Sequence, residues 1–385
     1  MISNFKRAAA IFGVVAASST ALVACGGNDA DNTENNADGK DNGNGGDSSV
    51  ELPGGYKLSG ATGELIGEGA SSQQNAIDYF GNKFQETTGG DASLAYNPTG
   101  SGSGQTQFVD GQVTFAGSDS PLDDEQAEKA KDRCNGNEAW HLPFVIGPVA
   151  IAYNLKGVDS LNLSTDTVAK IFKGDIKKWN DPEIAEQNKD ADLPDTDIHV
   201  IYRSDESGTS DNFQKFLHNA TDEWEPEKGK TFPTNVGEGA NGSSGVTTQV
   251  SQIDGAITYV EYSHARQNNL NTAKIDFGAG PVELNNESVG KALDNLEYKG
   301  EGNNMVVDSK ALFASKNEGA YPLILTTYEI VCSGGYEEDE ANLLKDFLMT
   351  SLAHQDEGLE EAGHIPVTGD LHDRLVEAVK AIEAK

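Results

Sequence analysis

The chain has 385 residues, with 62 Asp or Glu against 28 Lys or Arg and a formal net charge of -34. Because nucleic-acid phosphates and anionic membrane surfaces are contacted by clustered Lys and Arg, this balance argues against both as partners. The length favours two domains rather than one core. Three cysteines are too few for a disulfide scaffold or a cysteine-based metal cluster.

Residues 1–24 have the pattern of an export signal. Lys6 and Arg7 precede an uncharged, largely apolar run from Ala8 to Ala24, as in a signal peptide. A membrane helix is the alternative, but this run is short for a span of roughly 20 residues. The segment 22–25, Leu-Val-Ala-Cys, resembles the lipobox of bacterial lipoproteins, in which cleavage leaves Cys25 as a lipid-modified N-terminus. We therefore predict a lipoprotein with acyl chains such as palmitate on Cys25.

Residues 25–56 are predicted to be the lipidated cysteine and a flexible acidic tether. The segment is rich in Asn, Asp and Gly and has too few apolar residues to offset the entropy of ordering. A Gly-rich coil of this length reaches roughly 30 Å. More than one acyl chain is needed for a stable anchor. We expect a folded body held at the extracytoplasmic face of the bacterial cell membrane.

Two cysteines remain after Cys25, namely Cys134 and Cys332. An extracytoplasmic compartment permits them to pair. Two separate buried thiols are the alternative. We predict a disulfide bond between Cys134 and Cys332.

The segments after the tether predict strands that alternate with helices, which is the α/β pattern. Ser164 or Thr165 is expected to cap one helix, with Asp166 in its first turn. In chain order the pattern predicts a strand at 56–66, a helix at 71–84, a strand at 94–96, a helix ending near 108, strands at 113–117 and 144–154, a helix around 168–172, a strand at 198–202, a helix at 210–217, strands at 256–260 and 323–331, and helices at 341–352 and 371–382.

Three segments share one design, in which a strand ends, a cluster of Gly with Ser or Thr follows, and a helix begins. They are 67–72, 100–104 and 207–210. Glycines let the backbone approach a ligand closely, and the positive helix end faces that ligand. Each cluster alone is more typical of an ordinary helix cap than of a binding site. Three clusters, with Arg203 shortly before Ser207, favour a site for a small oxyanion.

Other chemistries lack their motifs. The Gly-rich runs have no Lys in the position of a Walker loop, and no dinucleotide fingerprint is present. The seven histidines show no metal-binding spacing. We therefore expect no cofactor, no metal and no catalytic residue, although a histidine distant in sequence could still reach Ser207 in a hydrolase.

On these residues the chain resembles the phosphate-binding lipoproteins of high-affinity phosphate ABC transporters, over about 60–370. The two most specific matches are Gly117-Ser118-Asp119 and 203–209, Arg-Ser-Asp-Glu-Ser-Gly-Thr. The other matching segments are 67–72, 100–104 with Gln107-Phe108, 113–116, 171–174 and 179–182.

The resemblance implies an α/β, two-lobed periplasmic-binding-protein fold of type II, with a hinge and a ligand cleft between the lobes. Lobe one would combine 57–143 with 322–385, and lobe two would be 144–321. Cys134 and Cys332 would then lie in lobe one, so that their bond would not restrain the hinge.

The resemblance also implies a set of phosphate-binding residues and one orienting residue, Asp205, which would hold Arg203. At Ser72, where many family members have an aromatic residue, the backbone N–H would be the binding group. The implied phosphate-binding residues are Ser71, Ser72, Ser101, Asp119, Arg203, Ser207, Gly208 and Thr209. From spacing alone, Asp119 could instead cap a helix before Pro121, and Arg203 with Asp205 could be a surface ion pair.

Independently of the resemblance, an aspartate at position 119 of an anion site would select between anions. A carboxylate only accepts hydrogen bonds, so it favours an anion that still carries a proton. Sulfate has no proton to donate near neutral pH. An unpaired buried carboxylate facing it would cost several kcal/mol.

The implied function is binding of inorganic phosphate outside the cytoplasmic membrane and delivery to the permease and ATPase subunits of an ABC transporter. The protein would then be a binding protein and not an enzyme. One alternative is a surface phosphate sensor or adhesin on the same fold. A further alternative is a phosphoester hydrolase that uses Ser207 or Ser101 as nucleophile.

Overall fold

The computed structural model describes residues 51–385 except 227, 234–235, 294–296, 300–301 and 316. The predicted signal peptide, Cys25 and most of the predicted tether lie outside the described residues. In the described part of the chain, none of the helices combines the length and the apolar composition needed to cross a membrane.

The strands in the described residues are β1 (Gly63–Gly69), β2 (Ala92–Asn97), β3 (Phe115–Ser118), β4 (Ala139–Asn154), β5 (Asn162–Ser164), β6 (His199–Arg203), β7 (Glu238–Ala240), β8 (Ala256–Glu261), β9 (Asn271–Thr272), β10 (Lys274–Asp276), β11 (Pro281–Val282), β12 (Tyr298–Lys299), β13 (Val306–Val307), β14 (Ile324–Cys332), β15 (Gly334–Tyr336) and β16 (Glu383–Ala384).

The helices in the same residues are α1 (Gln74–Thr87), α2 (Ser101–Val109), α3 (Asp124–Arg133), α4 (Thr165–Lys173), α5 (Pro182–Gln187), α6 (Gly208–Ala220), α7 (Gly242–Gln252), α8 (Tyr262–Gln267), α9 (Asn286–Leu293), α10 (Ser309–Phe313), α11 (Glu338–Ala353), α12 (Glu357–Glu361) and α13 (Gly369–Lys380). Two short 3-10 helices, Pro53–Gly55 and Ser71–Gln73, precede α1.

The main sheet has the strand order β2-β1-β3-β14-β4-β8-β6-β7, and β9 pairs with β4. The long strand β4 links its two halves, because residues 139–148 pair with β14 and residues 149–154 pair with β8. All nine residues of β14 are buried, as expected for a strand covered on both faces. The predicted α/β, two-lobed fold is confirmed, and β4 passes between the lobes. The exact lobe limits, 57–143 with 322–385 and 144–321, stay a prediction.

Local sequence explains where α4 begins and ends. The Ser164 side chain accepts a hydrogen bond from the Thr167 N–H, so Ser164 and not Thr165 is the cap. Asp166 lies in the first turn, and Gly174 ends the helix with φ at 81°, a conformation that glycine adopts without strain.

The segment before β1 differs from the predicted strand at 56–66. The Tyr56 hydroxyl donates to Asp346 Oδ1 at 2.8 Å, and the Ser59 hydroxyl donates to Asp346 Oδ2 at 2.7 Å. Leu52 is buried. The end of the predicted tether therefore packs against α11, because a buried carboxylate on that helix takes its donors from this segment.

The predicted disulfide is confirmed. Cys134 follows α3, Cys332 ends β14, and their sulfur atoms are bonded across 198 residues of sequence with the Cα atoms 5.4 Å apart. Both ends lie in the predicted lobe one.

Candidate functional site

The N-terminal turns of four helical segments meet between the two halves of the main sheet. The 3-10 helix Ser71–Gln73 follows β1, α2 follows β2, α6 follows β6, and α7 follows β7. Ser71 Oγ lies 3.1 Å from Ser243 Oγ in α7 and accepts a 3.0 Å hydrogen bond from the Ser243 N–H. First-turn N–H groups lack intrahelical partners and carry the positive end of the helix dipole. Their convergence brings the N-terminal ends of four helical segments to one place.

Gly208, the first residue of α6, lies directly against Ser101 and Asp119. A Cβ atom at this position would stand 2.3 Å from Ser101 Oγ and 2.5 Å from Asp119 Cβ, so only glycine allows this approach. The Gly102 N–H also donates to the Glu206 carbonyl at 3.0 Å. The structure thus brings together residues that are distant in sequence. We call the following group the cradle: Ser71, Ser101, Asp119, Arg203 and Gly208.

Asp119 is buried and is held by hydroxyl groups. Ser72 Oγ donates to Asp119 Oδ1 at 2.6 Å, and Thr327 Oγ1 donates to the same oxygen at 2.7 Å. Ser101 Oγ lies 3.4 Å from Oδ2 and accepts a 3.1 Å hydrogen bond from the Asp119 N–H. The cap of α3 is Asp123, so the alternative of Asp119 as that cap is wrong.

The environment of Asp119 changes its acidity. Burial, followed by the negative charge of Glu261, raises the pKa of Asp119 to about 7, against the opposing effects of Ser72, Thr327 and Arg203. The carboxyl group therefore changes its protonation state near neutral pH. When ionised it can only accept hydrogen bonds, and when protonated it can also donate one.

Arg203 forms a buried, two-pronged ion pair with Asp205. Its Nε donates to Asp205 Oδ1 at 2.7 Å, and its Nη2 forms a second, short bond to Oδ2. The two side chains are 2 % and 7 % exposed, so the alternative of a surface pair is wrong. Burial is the largest single effect on the pKa of Asp205 and acts to raise it, but the hydrogen bonds and charge of Arg203, together with backbone N–H donors, outweigh burial and hold the pKa below the ordinary value. Asp205 thus stays ionised and fixes the plane of the guanidinium.

The third guanidinium nitrogen of Arg203, Nη1, faces the hydroxyl groups of Ser243 and Thr209. It lies 3.1 Å from Ser243 Oγ and 3.4 Å from Thr209 Oγ1. Thr209 Oγ1 donates in turn to Glu261 Oε1 at 2.5 Å. Ser243 also contacts Ser71, so Arg203 and Ser71 lie against the same serine.

The side chains of Ser207 and Ser72 form hydrogen bonds within the protein that the resemblance did not imply. Ser207 is the cap of α6, because its Oγ accepts a 3.1 Å hydrogen bond from the Ser210 N–H. Ser72, expected to contribute its backbone N–H, also uses its hydroxyl to hold Asp119. An aromatic residue at position 72 could not form that bond.

Three residues at the site were missed by sequence reasoning, namely Ser243, Glu261 and Thr327. A signal existed for Ser243, because Gly242-Ser243-Ser244-Gly245 repeats the Gly and Ser pattern of the other clusters. Glu261 and Thr327 lie within the buried strands β8 and β14. Only the strand register places them beside Thr209 and Asp119.

No histidine is placed to activate a serine among the described residues. His264 contacts the cradle through the main chain, because its Nε2 atom lies 3.1 Å from the Ser71 carbonyl oxygen. Burial lowers the pKa of His264. The hydrogen bonds of Ser101 and Ser207 in the described structure go to Asp119 and Ser210.

The fold and this site define a substrate-binding protein of the periplasmic-binding-protein class, since residues 55–351 match the family model described as PBP superfamily domain. Over 384 residues the chain is 41 % identical to the phosphate-binding protein PstS2 of Mycobacterium bovis (strain BCG / Pasteur 1173P2), covering 98 % of this chain and 100 % of that protein. It is 42 % identical to the phosphate-binding protein PstS 3 of Mycobacterium leprae, covering 83 % and 86 % of the two chains. The chain belongs to the PstS family of phosphate-binding proteins.

The fold also resembles a solved structure. The phosphate-binding protein of Stenotrophomonas maltophilia superposes with a TM-score of 0.61 at 21 % identity, over 82 % of this chain and 93 % of that chain. At this identity the likeness concerns the fold. The resemblance seen in the sequence motifs is confirmed by the family match.

Proposed function

We propose that the protein binds inorganic phosphate outside the cytoplasmic membrane and passes it to the permease of an ABC transporter for import. The observation that carries the proposal is the convergence of the buried Arg203–Asp205 pair, Asp119 and the first turns of four helical segments on one place between the lobes. Oriented N–H groups, hydroxyls and one guanidinium are the donors that suit a phosphate.

The proposed ligands are the residues that the sequence motifs singled out. Ser71, Ser101 and Thr209 supply hydroxyls, Gly208 and Ser72 supply backbone N–H groups, and Ser207 positions the first turn of α6. Arg203 supplies the charged donors and Asp205 orients it. Asp119 accepts the hydrogen of a protonated phosphate oxygen.

Membrane attachment is part of the same proposal. Cys25 would carry acyl chains at the extracytoplasmic face, and the acidic segment after it would link the anchor to the folded body. The support is the lipobox-like segment ending at Cys25 and the similarity over full length to PstS proteins.

Calorimetry on the full chain tests the proposal. Wild type should bind one phosphate tightly, and Arg203→Ala should lose at least tenfold in affinity, because a charged hydrogen bond is worth roughly 1.5–3 kcal/mol. Lys189→Ala, which removes an exposed lysine without a hydrogen bond or ion pair to the cradle in the described structure, should bind as wild type does. Unchanged affinity in Arg203→Ala would place the site elsewhere.

A phosphoester assay separates binding from hydrolysis. A chromogenic phosphoester should show no steady turnover with wild type. Turnover that Ser207→Ala abolishes would establish the hydrolase in place of the binding protein.

A further inference from the structure

A cavity of about 390 Å³ reaches Asp119 from the side of the cleft. Pro121, Thr326 and Tyr328 line it from the predicted lobe one, and α6, α10 and β13 line it from the predicted lobe two. Arg203 and Ser71 do not line it. The cavity therefore adjoins the cradle and is separate from it, with the carboxyl group of Asp119 at the boundary.

Four lysines line this cavity, namely Lys215, Lys228, Lys299 and Lys310. The last three are exposed, so they lie at its rim. The carboxylates that line it are Asp119 and Asp211. The cavity lining therefore has more lysines than carboxylates, whereas the whole chain has 62 acidic and 28 basic residues.

Two of the four ammonium groups are committed to carboxylates. Lys215 pairs with Asp211, and Lys299 Nζ lies 3.2 Å from Asp308 Oδ1. Neither Lys228 nor Lys310 forms a direct ion pair among the described residues, although burial, which acts to raise the pKa of Asp308, is outweighed by effects that include the charge of Lys310. Their charges are therefore available to an anion.

The net charge of the protein repels phosphate at long range, but salt screens that repulsion beyond about 8 Å at physiological ionic strength. Close to the cavity, the lysines are the nearest charges to an incoming anion. Clefts lined by one sign of charge raise local ligand concentration and association rates by about 10- to 1,000-fold, and because Asp119 and Asp211 also line this cavity, we expect an effect at or below the lower end of that range. Lys binds phosphate as a mobile point charge, so it holds a hydrated anion loosely.

We propose that this lysine-lined cavity is a second, weaker phosphate site, from which the anion passes Asp119 into the cradle. This proposal rests on the proposed function of the cradle. The cavity captures hydrated phosphate through ammonium groups, whereas the cradle holds it through oriented donors. The two sites share Asp119 and no other named ligand.

Equilibrium dialysis with radioactive inorganic phosphate, carried to millimolar concentration, tests the second site on the full chain. Wild type should bind one phosphate tightly and a second weakly. The double variant Lys228→Ala/Lys310→Ala, called the cavity variant, should lose the weak class of phosphate binding and keep the affinity of the tight site within about twofold. The control Lys57→Ala/Lys189→Ala removes two exposed lysines that do not line the cavity, and it should keep both classes.

Stopped-flow association rates give a second readout. At low salt, the cavity variant should associate with phosphate on the order of three- to tenfold more slowly than wild type, and 0.5 M salt should remove most of the difference. The control variant should associate at the wild-type rate.

The outcomes separate this proposal from the proposed function. Arg203→Ala should lose the tight class and keep the weak one. Absence of a weak class in wild type, with equal association rates in wild type and the cavity variant, overturns the second site while leaving the cradle intact. Absence of the tight class in wild type overturns the proposed function, and a weak class lost only in the cavity variant would then still identify the cavity as an anion site.

Discussion

Glu329 is a buried carboxyl group whose replacement should change how stability depends on pH. It lies on β14 opposite Gly117, is 1 % exposed, and neither of its oxygens has a hydrogen-bond partner of ordinary geometry in the described structure. Burial raises its pKa from 4.5 to about 8, the Gln73 amide opposes this rise, and the charge of Asp119 adds to it. The native protein therefore keeps this proton at pH values where the unfolded chain has lost it.

The direction in which Glu329 changes the free energy of unfolding with pH follows from proton linkage. Between pH 4.5 and 8 the native state binds more protons at Glu329 than the unfolded state, so this group makes stability fall as pH rises. At about 1.4 kcal/mol for each pKa unit, the loss is on the order of 3 kcal/mol at pH 6.5 and up to about 5 kcal/mol at pH 8. Glu329→Gln keeps the shape and removes the ionisation.

Urea unfolding of wild type and Glu329→Gln at pH 4.5 to 9 measures this directly. The stability of the variant relative to wild type should rise with pH by several kcal/mol, whereas the control Glu64→Gln, on exposed Glu64 of β1, should show no such rise. A difference between Glu329→Gln and wild type that stays constant over this range would show that Glu329 does not hold a proton in the native state above pH 4.5.

Three further predictions concern the cradle and the disulfide. Asp119→Asn should keep part of the phosphate affinity and weaken discrimination against sulfate by roughly tenfold or more. In wild type, sulfate affinity should rise as pH falls through about 7, where Asp119 becomes a donor. Calorimetry with both anions at pH 6 and 8 checks both expectations, and equal phosphate-to-sulfate selectivity in variant and wild type would remove Asp119 from this role. Gly208→Ala should reduce phosphate affinity at least tenfold because its methyl group collides with Ser101, whereas Gly290→Ala, with open space around its Cβ, should bind normally. Cys134→Ser/Cys332→Ser should lose about 2–5 kcal/mol of unfolding free energy and keep its phosphate affinity within about twofold, and a large loss of affinity would show that the bond also supports the site.

The sequence was sufficient for the strand-to-helix turns that build most of the cradle. In 67–72, 100–104 and 207–210, glycine, hydroxyl residues and a following helical pattern lie next to each other in the chain, so local chemistry determines the local structure. The α/β class and the disulfide were predicted for similar reasons, from alternating patterns and from the two cysteines that remain after Cys25.

Other parts depend on contacts between distant segments. The segment 56–62 was expected to be strand, but Asp346 on α11 takes the hydrogen bonds of Tyr56 and Ser59. Strand β7 has only three residues, so the periodicity before α7 was too weak to draw attention to Ser243. Glu261 and Glu329 sit within apolar strands, where sequence alone does not show what faces them.

The most direct test of the account is titration of the full chain with phosphate and with sulfate at pH 8, where Asp119 is mostly ionised. The account predicts tight binding of one phosphate and no detectable binding of sulfate at the same concentrations. Equal affinity for the two anions, or no binding of phosphate, would contradict it.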